Sequence, residues 1–371
     1  MRTALVQFNK YYRLMKTHFK AIVFLLLFPA LLFASDGKNK YSKEKRINKE
    51  YAVNNDALLK IDNSFGNVDI VTWNENRIVI EVHIITHGKN EEKTQKRLDA
   101  IDVNFTATAS AVSAKTIFNK NGKNSWFSNN NNTSMEINYT IKMPVTNSLD
   151  LSNDYGAINL NKLEGHAKIS CDYGQLIIGE LMAENNSLNF DYTSKSTIGY
   201  MKSGKINADY SGFTLDKAER LNLNADYTNT KIGEVNQINY NCDYGKITID
   251  KVGSLDGTGD YISHRIGAVI TSLDINADYG SIKIDRLLAS VKNVIIKSDY
   301  TGIKVGYDSD LNFNFTLNLQ YASLSGEEDL TVQHSDKRNS SKKLSGFHGS
   351  ENSGTIININ SEYGGITLTK K

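Results

Sequence analysis

Residues 221–227 read LNLNADY and residues 245–252 read GKITIDKV, and these two stretches decide the fold. In the first, Leu221, Leu223, Ala225 and Tyr227 share one parity, whereas the asparagines and the aspartate share the other. Because successive side chains of a β-strand point to opposite faces, this pattern predicts a short strand with one buried face. The second stretch resumes the alternation after a turn. The sequence therefore predicts a unit of about two short strands and two turns.

This unit returns along the chain from Leu149 onward at a nearly constant interval. Nine tyrosines each follow an aspartate, with successive spacings of 18, 19, 18, 17, 17, 17, 18 and 21 residues. They are Tyr155, Tyr173, Tyr192, Tyr210, Tyr227, Tyr244, Tyr261, Tyr279 and Tyr300. The step continues in altered form as Gln320-Tyr321 and Glu362-Tyr363, and the N-terminal LLKIDNSFGNVDI fits the same frame as a first coil ending at Phe65.

A fixed period near 18 residues is typical of a solenoid, in which each repeat buries its apolar face against its neighbours. We therefore predict an all-β, parallel β-solenoid over residues 149–371, in which each coil stacks in register on the one before. At about 4.8 Å for each coil, roughly a dozen coils would form a rod about 55 Å long.

Stacking in register would place equivalent residues in columns. The parity of the repeat predicts that the tyrosine rings point inward as a structural ladder, which favours core packing over a platform for sugars. The residue two positions before each tyrosine is small in most coils, and in two coils it is Cys171 or Cys242. These cysteines would lie roughly 19 Å apart, beyond the reach of about 7 Å for a disulfide. The sequence therefore predicts two buried free thiols.

The aspartate that precedes each tyrosine has two readings. In the structural reading, each carboxylate accepts a backbone N–H in the turn that follows, as in an Asx turn, and nearby lysines offset the stacked charge. Those lysines are Lys195, Lys231, Lys246, Lys283 and Lys304. In the functional reading, aspartates and neighbouring asparagines form a stripe that binds Ca²⁺ or a glycan. Its candidate residues are Asp191, Asp209, Asp226, Asp243, Asp278, Asn207, Asn224 and Asn241.

The rest of the chain divides into four segments. The apolar run AIVFLLLFPALLF at residues 21–33 follows basic residues and predicts a signal peptide over residues 1–34, with Met15 as an alternative start. Residues 35–50 are polar and charged, which predicts a flexible linker. Residues 51–148 predict an N-terminal β region that begins the solenoid, with one short helix near Asn90 to Ile101. The insertion at residues 327–350 predicts a mobile, solvated loop and a place for partner contact.

Charge and motifs argue against several classes of function. The formal net charge of +2 gives no basic patch for nucleic acid. The sequence contains no nucleophile elbow, zincin, P-loop or dinucleotide motif, and carboxylates repeated in every coil argue against a unique catalytic pair. His83 and His87 share a strand face with Glu81, but i and i+4 on a strand lie about 13 Å apart, too far for one metal ion. We therefore predict no catalytic residues, metal or cofactor.

The order of three motifs resembles a known family. SFGNVDIVTWNENRIVIEV at residues 64–82, YTIKMPVTNSLDLSNDYGAINL at residues 139–160, and the DYG-type repeats that follow resemble the bacterial putative-adhesin family of β-strand-repeat envelope proteins, over about residues 50–371. The resemblance implies a right-handed β-solenoid exported to the cell envelope, with no catalytic residues to carry over. The regular Asp-Tyr step departs from relatives that have Phe-Gly or Ser-Gly.

Together these features predict an exported, non-enzymatic β-solenoid that acts as an adhesin or an envelope interaction scaffold. We expect it in the periplasm, in the envelope or outside the cell, as a monomer without a transmembrane segment, with a cell-surface glycan or an envelope protein as partner. The alternatives are a polysaccharide-active β-helix enzyme and a Ca²⁺-dependent glycan-binding protein. A third is a structural protein that polymerises end to end, which the polar and charged residues Thr369, Lys370 and Lys371 at the last edge would discourage.

Overall fold

The computed structural model describes residues 40–119 and 133–371. The predicted signal peptide lies outside the described residues. Within them, no helix is long and apolar enough to cross a membrane. The described residues fall into two compact units, one of residues 40–44, 85–100 and 133–135, and a larger one of residues 45–84, 101–119 and 136–371.

Strands make up most of the described residues. Before the Asp-Tyr repeats, the strands are β1 (Tyr41–Ala52), β2 (Leu58–Ser64), β3 (Val68–Trp73), β4 (Arg77–Gly88), β5 (Ile101–Ala107), β6 (Ala111–Phe118) and β7 (Thr133–Pro144). The one α-helix of the described residues is α1 (Glu91–Asp99), whose N-terminus is capped by Asn90 accepting a hydrogen bond from the backbone N–H of Lys93. This helix confirms the prediction for that segment. The predicted linker is wrong over residues 41–50, because they belong to β1.

The repeats supply the remaining strands. They are β8 (Ser148–Asp154), β9 (Ala157–Leu163), β10 (Ala167–Asp172), β11 (Gln175–Leu181), β12 (Asn186–Asp191), β13 (Ser196–Asp209), β14 (Gly212–Asn224), β15 (Asn229–Asn241), β16 (Gly245–Thr258), β17 (Ile262–Asn276), β18 (Ser281–Leu287), β19 (Asn293–Asp299), β20 (Gly302–Tyr307), β21 (Phe313–Gln320), β22 (Ser323–Ser325), β23 (Thr331–Arg338), β24 (Ser341–His348), β25 (Ile356–Glu362) and β26 (Gly365–Lys370).

The larger unit is a stack of parallel coils, with one ladder of strands before each Asp-Tyr turn and a second ladder after it. Along the first ladder, β2 pairs with β8, β8 with β10, and the order continues through β12 to β17 and then β19. Along the second, β3 pairs with β9, β9 with β11, and the order continues through β13 to β18 and then β20. Strands β13 to β17 serve both ladders, since each runs from one coil into the next. This confirms an all-β fold with a long, mostly parallel sheet.

The core lies between the two ladders. It is filled by the inward parity of each strand, as in Leu151, Ile169, Leu188 and Ile206, which follow one another in register and are all buried. At Gly257 the column has no side chain, and the ring of Tyr240 occupies the space, because a Cβ there would lie 2.1 Å from that ring. Identical register thus turns the sequence repeat into continuous apolar columns.

The coils do not follow chain order at the C-terminal end. Strand β25 pairs with β19 on one side and β21 on the other, and β26 pairs with both β20 and β22. The last coil of the chain therefore lies between the two coils that precede it in sequence. The expectation that residues 369–371 charge the final edge is wrong for this reason.

The insertion at residues 327–350 is also not a loop. Strands β23 and β24 form an antiparallel hairpin, and β24 pairs antiparallel with β21, the strand at the end of the first ladder. The hairpin covers a sheet edge that would otherwise present free backbone groups. The prediction of a mobile loop is therefore wrong, since an uncovered apolar strand favours a paired partner over a solvated segment.

Candidate functional site

The tyrosine of each Asp-Tyr step lies at a turn and has a left-handed backbone. The φ angles of the eleven repeat tyrosines lie between 50° and 59°, and Phe65 has a φ of 67°. The left-handed region is costly for residues with a Cβ and is usually occupied by Gly or Asn. Each turn is held by the next coil, as where the Tyr227 N–H donates to the Asp243 carbonyl at 2.9 Å.

The rings at these turns form one continuous ladder. Adjacent ring centroids lie 4.8 to 5.3 Å apart, and adjacent ring planes lie within 8° of parallel. In spatial order the rings are Phe65, Tyr155, Tyr173, Tyr192, Tyr210, Tyr227, Tyr244, Tyr261, Tyr279, Tyr300, Tyr363 and Tyr321. The ladder thus passes through the inserted last coil without a gap.

The direction of the rings overturns the prediction that they point inward. All eleven tyrosines are exposed, with 45 to 56% of their surface accessible, whereas Ala225 and Cys242, two positions before Tyr227 and Tyr244, are buried. Parity reasoning assumes an extended backbone at every residue. The left-handed φ at each tyrosine breaks that assumption, so the ring leaves the inward column and stands at the surface.

The aspartates run beside the rings as a second column. From Asp209 to Asp299, the backbone N–H of each aspartate donates to the side-chain Oδ1 of the aspartate one coil earlier, at 2.7 to 3.2 Å. The prediction that each carboxylate accepts a backbone N–H is therefore confirmed for these aspartates. The prediction that the donor lies in the same turn is wrong, because the N–H belongs to the aspartate of the next coil. Partial burial, with the Asp172 carboxylate adding to it, raises the pKa of Asp154.

These carboxylates are not neutralised in the way the sequence suggests. Within the described part of the chain, none of the five lysines predicted to offset them forms an ion pair with an aspartate of the column, and Lys283 instead contacts Asp285 at 3.0 Å. We name the eleven tyrosines and the nine aspartates that precede nine of them the Asp-Tyr stripe. It presents tyrosine edges, hydroxyls and carboxylates at intervals of about one coil.

The asparagines of the predicted glycan or calcium stripe bond mainly to one another. The Asn224 amide donates to Asn207 at 3.0 Å, and the Thr258 hydroxyl donates to Asn241 at 2.8 Å. Across residues 40–119 and 133–371, no three His, Cys, Asp or Glu side chains are grouped closely enough to hold a metal ion. His83 and His87 lie half-buried on β4. The carboxylates lie in single file, one for each coil.

Both cysteines lie in the buried column two positions before the tyrosines. Neither forms a disulfide. Burial, with nearby carboxylates adding to it, raises the pKa of each thiol to about 12. A thiol that stays protonated at neutral pH is a poor nucleophile and a poor metal ligand, so these side chains act as small core residues.

The sequence analysis did not identify one buried polar pair, His264 and Tyr240. His264 lies in the core with its ring centroid 5.8 Å from that of Tyr240, and neither its ring nitrogens nor the Tyr240 hydroxyl makes a well-formed hydrogen bond. The backbone of Ser281 opposes the effect of burial on the pKa of His264 only in part. Burial lowers the pKa of His264 to about 4. The only signal in the sequence was a histidine at a position where the neighbouring coils have Ile247 and Ile282.

No family model and no curated protein matches the sequence. Solved structures of bacterial proteins named as adhesins match most of it. A putative adhesin from Bacteroides fragilis is 12% identical, with 87% of this chain and 97% of that chain covered at a TM-score of 0.25. A putative adhesin from Parabacteroides merdae is 12% identical, with coverage of 70% and 91% and a TM-score of 0.28. A putative cell adhesion protein from Clostridium sporogenes is 10% identical, with coverage of 89% and 100% and a TM-score of 0.17. At these identities and TM-scores, the matches assign no function to this chain.

Proposed function

We propose that this protein is an exported, non-enzymatic interaction protein, an adhesin or envelope scaffold, and that the Asp-Tyr stripe is its contact surface. The observation that carries the proposal is the uninterrupted column of eleven exposed tyrosines at one edge of the coils. Large aromatic side chains are the residues that most often anchor interfaces.

The backbone at each tyrosine supports a role for the ring. A left-handed conformation costs a residue with a Cβ roughly 1 kcal/mol, and Gly would avoid that cost. Stacking contributes about 0.5 to 1.5 kcal/mol for each ring pair, which offsets the strain but leaves little net stability. A ladder built for stability alone would gain more from buried rings. Half-exposed rings at a strained position favour a surface that contacts a partner.

The geometry also limits how a partner binds. Each interior ring is covered on both faces by its neighbours, so a sugar or aromatic ligand has no free ring face there. Contact with the stripe is through ring edges, hydroxyls and carboxylates. Each such contact is weak, but a partner that lies along the stripe engages many of them at once, and the resulting avidity far exceeds a single contact.

The test removes part of the stripe without removing the turns. A quadruple variant replaces four consecutive tyrosines by Asn, which tolerates the left-handed conformation. A matched control replaces four exposed residues on the outward face of the preceding strands in the same coils by Ala. The stripe positions are Tyr210, Tyr227, Tyr244 and Tyr261, and the control positions are Lys205, Asn222, Asn239 and Asp256.

Bead-coupled protein is assayed for binding to bacterial envelope fractions and immobilised polysaccharides, with circular dichroism to check folding. The stripe variant is expected to bind at least about tenfold more weakly, because it loses four of the repeated weak contacts that together produce the avidity. The control variant is expected to bind as tightly as the unsubstituted protein. Equal binding by the two variants would refute the proposal. Release of glycan fragments that depends on one aspartate would establish the enzymatic alternative instead.

A further inference from the structure

The tyrosine ladder ends at a groove. Tyr321 is stacked on Tyr363 at 4.9 Å, and no second ring covers it among the described residues. It is also the most exposed ring of the ladder, at 56%. Beside it lies an open groove of about 790 Å³, whose lining includes Tyr321, Ser323, Lys337, Asn339 and Ser341. Volumes of this order are typical of sites for small ligands.

The groove has an unbalanced positive charge. Lys337 and Lys342 both line it and lie directly opposite each other in the β23–β24 hairpin. Like charges in that arrangement destabilise a hairpin. The Lys342 ammonium is paired with Glu327 at 2.7 Å, whereas Lys337 is exposed and forms no ion pair within the described part of the chain. An anion bound in the groove would offset the repulsion.

At the groove, the Tyr321 ring has one face that no other ring of the ladder covers. The interior tyrosines have both faces covered, but Tyr321 has a ring on one face only. The face of an aromatic ring carries partial negative charge and attracts the weakly positive C–H bonds on one side of a pyranose. Ser323, Asn339 and Ser341 add hydroxyl and amide groups around it, which suit the hydroxyls of a sugar.

We propose that this groove binds an acidic saccharide. A pyranose ring packs on Tyr321, its carboxylate or sulfate pairs with Lys337, and its hydroxyls bond to the Ser and Asn side chains. Of the stripe, the site uses only the terminal ring of Tyr321, so the variant that replaces Tyr210, Tyr227, Tyr244 and Tyr261 tests the proposed function and Lys337→Glu tests this site separately.

The test uses the full chain and three acidic probes, namely trigalacturonate, a glucuronate-containing disaccharide and a sulfated galactose oligomer. Neutral galactose trimer is the matched uncharged sugar. Calorimetry and saturation-transfer NMR compare the unsubstituted protein with Tyr321→Ala and Lys337→Glu, and with Lys205→Glu, which reverses the charge of an exposed lysine outside both the groove and the stripe, as the matched control.

We expect at least one acidic probe to bind, with a loss of tenfold or more in Lys337→Glu and in Tyr321→Ala, and no loss in Lys205→Glu. Lys337 is exposed and lies opposite Lys342, so a Glu at position 337 removes a like-charge pair and is expected to leave the hairpin folded, which makes its result independent of the stability of the tyrosine variant. No binding of any acidic probe at millimolar concentration would overturn the proposal. So would neutral trimer binding as tightly as the acidic probes, or equal binding by Lys337→Glu.

Discussion

Replacement of His264 by Ile should remove an acid-sensitive weakness from the core. His264 is buried, its ring nitrogens make no well-formed hydrogen bond, and the residues in register on either side are Ile247 and Ile282. Ile at position 264 would continue that column. Because an unpartnered buried polar group costs about 1 to 3 kcal/mol, His264→Ile should be more stable than the unsubstituted protein at neutral pH.

The free energy of unfolding should also depend on pH through His264. The pKa of His264 is lowered by burial from 6.5 to about 4 in the folded state. Between those values the unfolded state binds a proton that the folded state does not, so stability falls as the pH falls from 6.5 towards 4. At 1.36 kcal/mol for each pH unit, the full loss is about 3 kcal/mol. Above pH 6.5 the histidine is neutral in both states and contributes no pH dependence.

Chemical denaturation followed by circular dichroism, at pH 7.5 and pH 4.5, measures this difference. The stability gap between His264→Ile and the unsubstituted protein should widen by about 2.5 kcal/mol at the lower pH. Carboxylates titrate in both proteins, so their contribution cancels in the comparison. NMR of ¹³C-labelled histidine measures the pKa directly. A constant gap, or a buried histidine that titrates near 6.5, would refute the reasoning.

Three further predictions test the ladder, the thiols and the hairpin. Tyr227→Ala removes two ring pairs and should cost about 2 kcal/mol in unfolding free energy, whereas Tyr321→Ala removes one and should cost about 1 kcal/mol; equal costs would contradict a stacking contribution. Cys171 and Cys242 should not react with a thiol reagent in the native protein and should both react after denaturation, so rapid native labelling would contradict their burial. Replacing residues 331–348 by a short Gly-Ser linker should expose the edge of β21 and produce oligomers on size-exclusion chromatography; a monomeric product would show that the hairpin is not needed as a cover.

Much of the fold could be predicted from the sequence, because the alternation of buried and exposed side chains is a local property of an extended backbone. The alternation in LNLNADY placed Leu221, Leu223 and Ala225 in the core, and all three are buried. The recurrence of the same frame predicted stacked parallel strands, and helix α1 lay where a helix was expected. The exposure of the tyrosine rings was not predicted, because the alternation of side chains fails at a residue with a positive φ. The dipeptide Asp-Tyr carries no sequence signal for that conformation.

The terminal coils were missed for a different reason. Each coil presents the same parallel edges to its neighbours, so residues 356–370 could pair with any coil edge in the same register. Nothing in the spacing of Tyr300, Tyr321 and Tyr363 distinguishes their order in the stack from their order in the chain.

The amino-acid sequence by itself determined the period, the two-strand coil and the identity of the inward columns, since these depend only on parity within a few residues. The tertiary structure alone decided that the rings face solvent, that the last coil lies inside the stack and that a hairpin covers the end. Those features depend on which backbone groups find partners across distant segments, and that choice is made by the assembled stack and not by any one repeat.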